Sequence, residues 1–303
     1  MNRREFLAGS VLIACALGGG CRQMSVRTSV ADRIASCCRI VSRDEWFGHP
    51  RVVFEFDGEE AWVVEPAGDA AAGNPWTWTM EWPNDFELRT GAVEMLRRGW
   101  WHVTLRPGEY RNGAFVSKPG NMTDVRLRRS RAFQKFLVET LGLAPKANLI
   151  GMSWGGFYSI RYAATYPACV RKAYLDAPLC DFTSLPPCWT NYVDCATWGV
   201  TPDYRGENDP RMPINMARPI AEAGIEILLL YGGQDSLCLP DRNCEVFARR
   251  FKSFGGVLQD GVRDDGNADR RLFGHHPHGL EESKQGILAD FFERENGNGT
   301  TRP

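Results

Sequence analysis

The tightest constraint on this chain is a short apolar run at residues 147–152 that ends in Gly151-Met152-Ser153-Trp154-Gly155 and passes at once into helical spacing. Phe157, Ile160 and Ala164 recur at helical intervals until Tyr166-Pro167 stops the pattern. A strand that turns this sharply into a helix needs residues without side chains beside the turn. Gly151 and Gly155 stand there, and Gly156 gives the helix clearance to pack on a sheet. A serine on such a turn is held out of the packing, where a base can reach its hydroxyl and backbone N–H groups can face a developing oxyanion. Ser153 is therefore the candidate nucleophile.

The rest of the chain supplies a matching framework. Residues 51–56 and 61–65 are strand-like, with Asp57-Gly58 between them as a hairpin signal. A loop of small residues, 67–74, leads to Pro75-Trp76-Thr77-Trp78. Residues 85–98 read as a helix closed by Gly99, 100–105 as a strand and 106–121 as a long loop; Thr123 caps a helix running to about Leu141. After the helix that follows Ser153 come a strand at 172–176 and another at 225–231, the latter apolar enough to be buried on both faces. A helix at 242–251, a weaker strand at 257–262 and a final helix at 281–292 complete the series. This alternation predicts an α/β fold, a mostly parallel central sheet with helices on both faces. Residues 177–222 break it with several prolines, Trp189, Trp198 and three cysteines, and are read as a cap insertion over the site.

At 303 residues the chain has room for one large domain, placed at 51–295, with 22–50 as a tether or irregular segment and 296–303 as a disordered tail. Asn2-Arg3-Arg4-Glu5-Phe6-Leu7 followed by an apolar stretch resembles a twin-arginine export signal, too short to span a bilayer. Gly18-Gly19-Gly20-Cys21 resembles a lipoprotein processing site, so residues 1–21 are read as an export signal and Cys21 as a lipidation and membrane-attachment candidate. The expected location is the periplasm or the envelope of a bacterium. An oxidising compartment permits disulfides, and a bridge among Cys180, Cys188 and Cys195 would staple the cap. A net charge of −1 carries no electrostatic footprint for nucleic acid, and the basic run 126–131 lies on a helix as a solvated face.

If Ser153 is a nucleophile, an acid and a histidine are wanted later in the chain. Asp235 stands just beyond the buried strand in Tyr231-Gly232-Gly233-Gln234-Asp235, and His275 precedes the final helix in Phe273-Gly274-His275-His276-Pro277-His278. Asp176 is the rival acid, His276 the alternative base, and His278 a residue that fixes the loop. A metal would also explain three neighbouring histidines, but no acidic or cysteine ligands stand at supporting spacing, and neither metal nor cofactor is expected. His49 and His102 lie outside the constellation as structural residues. Among the tryptophans, Trp78 and Trp189 are candidates for the wall of a substrate pocket.

On the turn at Ser153, the acid Asp235 and the Gly274-His275 step, in that order, the chain resembles the α/β-hydrolase superfamily, with its esterase and dienelactone-hydrolase-like branches, over residues 61–292. The resemblance implies that Ser153 attacks an acyl carbonyl, that His275 relays the proton, and that Asp235 orients the imidazole. It also implies an oxyanion hole built from the N–H of Trp154 and a donor in the loop after the third strand. Pro75 has no N–H, so Trp76 or Thr77 is the second donor. The function expected is an exported serine hydrolase of carboxylic esters, with acyl groups on carbohydrates or other small molecules as candidate substrates. The competing readings are a prolyl-oligopeptidase-type peptidase and a lipoprotein that keeps the fold as a binding module. Oligomeric state is left open.

Overall fold

Side chains that alternate or run apolar over four to eight residues satisfy their backbone in a ladder and bury one or both faces, and most of this chain's strands form where that pattern is clearest. The computed structural model describes residues 28–117, 122–185, 193–263 and 273–296. In chain order the strands are β1 (Arg39–Trp46), β2 (His49–Phe56), β3 (Glu59–Val64), β4 (Trp76–Thr79), β5 (Trp101–Arg106), β6 (Gly108–Arg111), β7 (Ala114–Ser117), β8 (Ala147–Met152), β9 (Val170–Asp176), β10 (Glu226–Gly232) and β11 (Leu258–Arg263). The α-helices are α1 (Val30–Ala35), α2 (Ala92–Arg97), α3 (Asp124–Phe136), α4 (Trp154–Thr165), α5 (Cys195–Trp198), α6 (Ala217–Glu222), α7 (Cys244–Ser253) and α8 (Gln285–Glu293).

Among the described residues the main sheet has nine strands in the order β1-β2-β3-β5-β4-β8-β9-β10-β11. Strands β1 to β3 run antiparallel, and every pairing from β5 through β4 to β11 is parallel. One face packs on α1, α3, α4, α6 and α7 through residues such as Phe54, Trp78, Phe133, Phe157 and Phe247. The other packs on α2 and α8 through Trp62, Ile150, Tyr174, Leu228 and Phe292. The α/β fold with helices on both faces is thus observed.

Helix α8 docks through a cation. Lys172 Nζ, fully buried on β9, donates to the carbonyls of Phe291 (2.6 Å) and Arg294 (2.7 Å) at the helix C-terminus, beside Glu226 at 3.6 Å. Orphan carbonyls and the negative end of the helix dipole both favour an ammonium there.

Four expectations are corrected. Residues 28–50 are no tether: α1 buries Val30 and Ile34 in the core, and β1 and β2 form an antiparallel hairpin at the sheet edge. The edge strand β1 buries only Trp46, so its sequence carries little apolar periodicity. The helix expected at 85–98 is confined to α2, because residues 81–91 form an irregular loop in which Trp82 and Phe86 take positive φ. The loop 106–121 contains the hairpin β6–β7, whose Asn112-Gly113 turn has the φ of +50° and +82° that favours this residue pair. Cys180 and Cys195 are free thiols, as are all the described cysteines; Cys188, like Cys21, Trp189 and the tail from 297, lies outside the described residues.

The break at 177–222 is real but only partly helical. Its described residues form short helical turns that lay Phe182 and Trp198 on Phe157 of α4, with ring centroids 6.2 and 5.7 Å away. Among the described residues no helix is long and apolar enough to cross a membrane.

Trp78 belongs to the core, not to a pocket wall. It is 1% exposed on β4, with the rings of Trp76, Phe133 and Tyr162 at 5.9, 5.5 and 5.3 Å, and its indole N–H has no hydrogen-bond partner among the described residues. Trp78→Ala should lower unfolding free energy by about 3–5 kcal/mol in a denaturant titration. Trp78→Phe should cost distinctly less, because the smaller cavity it leaves is offset by removal of an unpaired buried donor. Equal losses in the two variants would contradict this packing.

Candidate active site

In a parallel sheet the strands' C-terminal ends share one edge, and loops leaving them converge. Here β8 ends at Ser153, β9 at Asp176, β10 leads to Asp235, and the chain beyond β11 brings back His275 to His278. The turn at Ser153 is tight: the serine has φ +50° and ψ −116°, a conformation that side-chain-bearing residues rarely adopt. Its N–H donates to Asp176 O (2.9 Å), and its carbonyl accepts from Leu179 N (3.0 Å).

The glycines around it are not equivalent. A Cβ at Gly151 would lie 2.5 Å from Ser159 Oγ and 2.7 Å from Gly155 O, and one at Gly156 would lie 2.4 Å from Pro178 Cβ. A Cβ at Gly155 would meet Glu81 Cβ and N at 3.4 Å, which is ordinary contact. The strict requirement for glycine therefore falls on 151 and 156, where the sequence pattern had put it on 151 and 155.

The structure brings Ser153, His275 and Asp235 together. His275 Nε2 is 3.1 Å from Ser153 Oγ, and Nδ1 is 2.7 Å from Asp235 Oδ2. With the carboxylate accepting from Nδ1–H, Nε2 is the nitrogen placed to accept from the serine hydroxyl. Asp235 Oδ1 also accepts from the backbone N–H of Leu237 (2.8 Å) and Cys238 (2.9 Å), so the buried carboxylate is held on both oxygens. The thiol of Cys238 touches the same centre, and burial and the nearby Asp235 carboxylate hold it well above the ordinary cysteine range, protonated and unreactive.

Asp176 has a different histidine. Its Oδ1 is 2.8 Å from His278 Nδ1, while Oδ2 accepts from Tyr174 OH (2.5 Å) and Gly279 N (2.7 Å). His276 sits half-buried beside both neighbours, its ring centroid 5.3 Å from that of His275 and 4.9 Å from that of His278. The three histidines therefore have distinct surroundings, and it is His275 that faces Ser153.

A cavity of about 290 Å³ opens on Ser153. Its wall includes Trp82, Phe86, Trp154, Leu185 and Leu237 as well as the three histidines, with Asp85 alongside. Trp154 follows the serine at the start of α4, as the sequence indicated. Trp76 and Thr77 do not reach the site. They lie within β4, at the register of Trp101 and Asn148 and away from the strand's C-terminal end, with Trp76 Nε1 donating to Ala144 O and Thr77 Oγ1 2.9 Å from His102 Nδ1. The misplacement has a topological cause. The early strand β3 is antiparallel, so the loop after it leads away from the site, and β4 is itself the strand beside β8.

The loop that does meet Ser153 begins at Glu81 and Trp82, and sequence reasoning passed over it. The available signal was the alternation Trp76-Thr77-Trp78-Thr79, a short strand followed by Trp82-Pro83. Glu81 packs against the first turn of α4 and is 5% exposed, with Oε2 lacking a partner among the described residues. Burial pushes its carboxyl up to about 7, opposed by Arg126, the Trp82 N–H, Arg106 and Tyr158.

A chain match to the α/β hydrolase fold family model covers residues 109–210. Among solved structures, the fold is similar to an S-formylglutathione hydrolase from Agrobacterium tumefaciens (15% identity, TM-score 0.53, 74% of this chain and 90% of that one). It is also similar to an acetyl xylan esterase from Paenibacillus sp. R4 (17% identity, TM-score 0.55, 84% and 87%). Dipeptidyl peptidase 4 from Porphyromonas gingivalis matches 76% of this chain but only 32% of its own length, at 14% identity and TM-score 0.53. A comparison with curated protein sequences finds no match.

Two measurements follow from this geometry. Gly151→Ala and Gly156→Ala should abolish soluble expression or lower the melting temperature sharply, whereas Gly155→Ala should stay within a few degrees of the parent. The raised Glu81 carboxyl means that the folded chain keeps a proton which the unfolded chain releases near pH 4.5. Stability should therefore fall as pH rises from about 4.5 to about 7 and stay low above that, a loss of about 3 kcal/mol attributable to this group. Glu81→Gln should remove that part of the pH dependence, read as the difference between variant and parent in urea titrations at pH 5 and pH 8. Parallel pH profiles for the two proteins would refute the assignment.

Proposed function

We propose that this chain, an α/β-hydrolase-fold protein, is an exported serine hydrolase that cleaves carboxylic esters through an acyl-enzyme on Ser153. The observation that carries the reading is the continuous line Ser153 Oγ–His275–Asp235, at 3.1 and 2.7 Å, beside a cavity with an aromatic wall. The two esterase-type neighbours, matched over most of their own length, support the same reaction class.

Each step has an atom to perform it. Ser153 Oγ attacks the acyl carbon while His275 Nε2 takes its proton, and Asp235 stabilises the imidazolium and fixes its orientation. The carbonyl oxygen, now an oxyanion, is received by the N–H of Trp154 and by the backbone of the Glu81–Trp82 turn. His275 returns the proton to the departing alkoxide, which leaves as the alcohol. Water then enters, gives its proton to the same nitrogen, and releases the acid from Ser153. The volume of about 290 Å³ is at the small end for ligand pockets, which favours a compact acyl group. Acylated carbohydrates remain substrates to be tried, since Trp82, Phe86 and Trp154 offer flat faces against which a sugar or an acyl chain can lie.

Export is supported by the sequence of residues 1–21, with Cys21 as the proposed lipid attachment point. The peptidase reading is the alternative, supported by the dipeptidyl peptidase that resembles this chain over 32% of its own length.

Ser153→Ala should lower kcat on a short-chain p-nitrophenyl ester by roughly 10⁴- to 10⁶-fold with an unchanged melting curve. His275→Ala should behave alike, while His276→Ala should retain labelling of Ser153 by a fluorophosphonate probe. Full labelling of His275→Ala would remove that residue from the role of base.

A further inference from the structure

Three imidazoles around one cavity can hold more than a proton. One ring nitrogen from each of His275, His276 and His278 lies within 4.8 Å of the corresponding atoms of the other two. Two of these rings are gripped in the same way from behind: His275 Nδ1 by Asp235 at 2.7 Å and His278 Nδ1 by Asp176 at 2.8 Å. A carboxylate on Nδ1 fixes the tautomer with Nε2 as the basic nitrogen, which is how histidines that bind zinc are held in place. Sequence spacing around residues 275–278 gave no such support. The carboxylates come from positions 40 and 102 residues away, at the ends of β10 and β9.

We propose that His275, His276 and His278 form a Zn²⁺ site whose occupation switches the Ser153 centre off. Imidazole nitrogens suit Zn²⁺, and a tetrahedral ion with bonds of about 2.0–2.1 Å accepts three of them with water or the Ser153 hydroxyl as the fourth ligand. Tetrahedral bonds of that length need nitrogens roughly 3.4 Å apart, so the set must contract from its present spread. His276, at the cavity wall, is the least buried of the three. The inhibition is a matter of one lone pair. His275 Nε2 cannot donate its lone pair to the metal and also accept the serine proton, so the zinc-loaded protein holds Ser153 without a base. Removing the metal returns the lone pair, and the effect is reversible.

The inhibition rests on the serine hydrolase reading, whereas the binding does not, and the two are measured separately. Accessible thiols, the exposed Cys37 and Cys195 and the half-buried Cys38, are first blocked by alkylation so that they do not compete for metal. Zinc is then titrated into full-length Ser153→Ala protein against a chromogenic chelator. One ion per chain should bind, and His276→Ala or His278→Ala in that background should weaken binding at least tenfold. His278 is buried and its variant can misfold; His276 is half-buried, and its variant, checked by an unchanged melting curve without zinc, keeps the test decisive. In the Ser153-containing protein, zinc should slow fluorophosphonate labelling and EDTA should restore it. Absence of labelling with or without zinc would refute the hydrolase reading and leave the binding result intact. Zinc affinity unchanged in His276→Ala would overturn the proposal, as it would move the ion to another set such as Asp235, Cys238 and His275.

Discussion

The structure depends on the clasp that holds Ser153 in its unfavourable backbone conformation. A residue with a side chain at φ +50° carries a cost of order 1–3 kcal/mol, and it persists only where its surroundings over-determine it. Here Asp176 O receives its N–H, Leu179 N and Gly156 N approach its carbonyl, and Ala177 N reaches across to Leu230 O at 2.7 Å. These bonds tie the ends of β8, β9 and β10 into one rigid edge. The backbones of Ser153 and Asp176 are thereby held together, and Asp235 leaves the same edge beyond β10, its own N–H donating to Gly232 O. Pro178 against Gly156 closes the same clasp from the other side, which is why a methyl group at 156 has nowhere to go.

That edge explains what could be read from the chain beforehand. The turn at Ser153, the buried strand β10 and the Gly-Gly before Asp235 are local patterns, and each marks a strand that ends on the site. The fold class followed from their alternation. The antiparallel start was not legible: β1 exposes most of its length and looks polar, and nothing local distinguishes the antiparallel β3 from the parallel β4. Counting strands from the N-terminus therefore reads Trp76 and Thr77 as a loop at the site, whereas they lie within β4. The same error hid Glu81 and Trp82, whose importance comes from the strand order and not from their own composition.

The histidine loop shows a second limit. Gly274-His275-His276-Pro277-His278 presents three chemically identical side chains, and sequence position separates them only weakly. The fold separates them by their partners: Asp235 for His275, Asp176 for His278, and the cavity wall for His276. Asp176, weighed as a rival acid, is a carboxylate of the right kind at the right edge, and its backbone supports Ser153 while its side chain supports His278. The tyrosine behind it, Tyr174 on β9, fills its second oxygen together with Gly279 N.

Two buried carboxylates near one cavity would repel each other and resist ionisation unless each were separately satisfied. Each accepts three hydrogen bonds: Asp235 from His275 and from Leu237 and Cys238 of its own loop, and Asp176 from Tyr174 of its own strand and from His278 and Gly279. Glu81, the third buried carboxyl at this edge, has no comparable set: burial dominates its arrangement, with an oxygen lacking a partner among the described residues. Asp235 and Asp176 stand behind imidazoles with both oxygens hydrogen-bonded, whereas Glu81 is a carboxyl that the packing tolerates best in its neutral form, wedged where the loop after β4 crosses the first turn of α4.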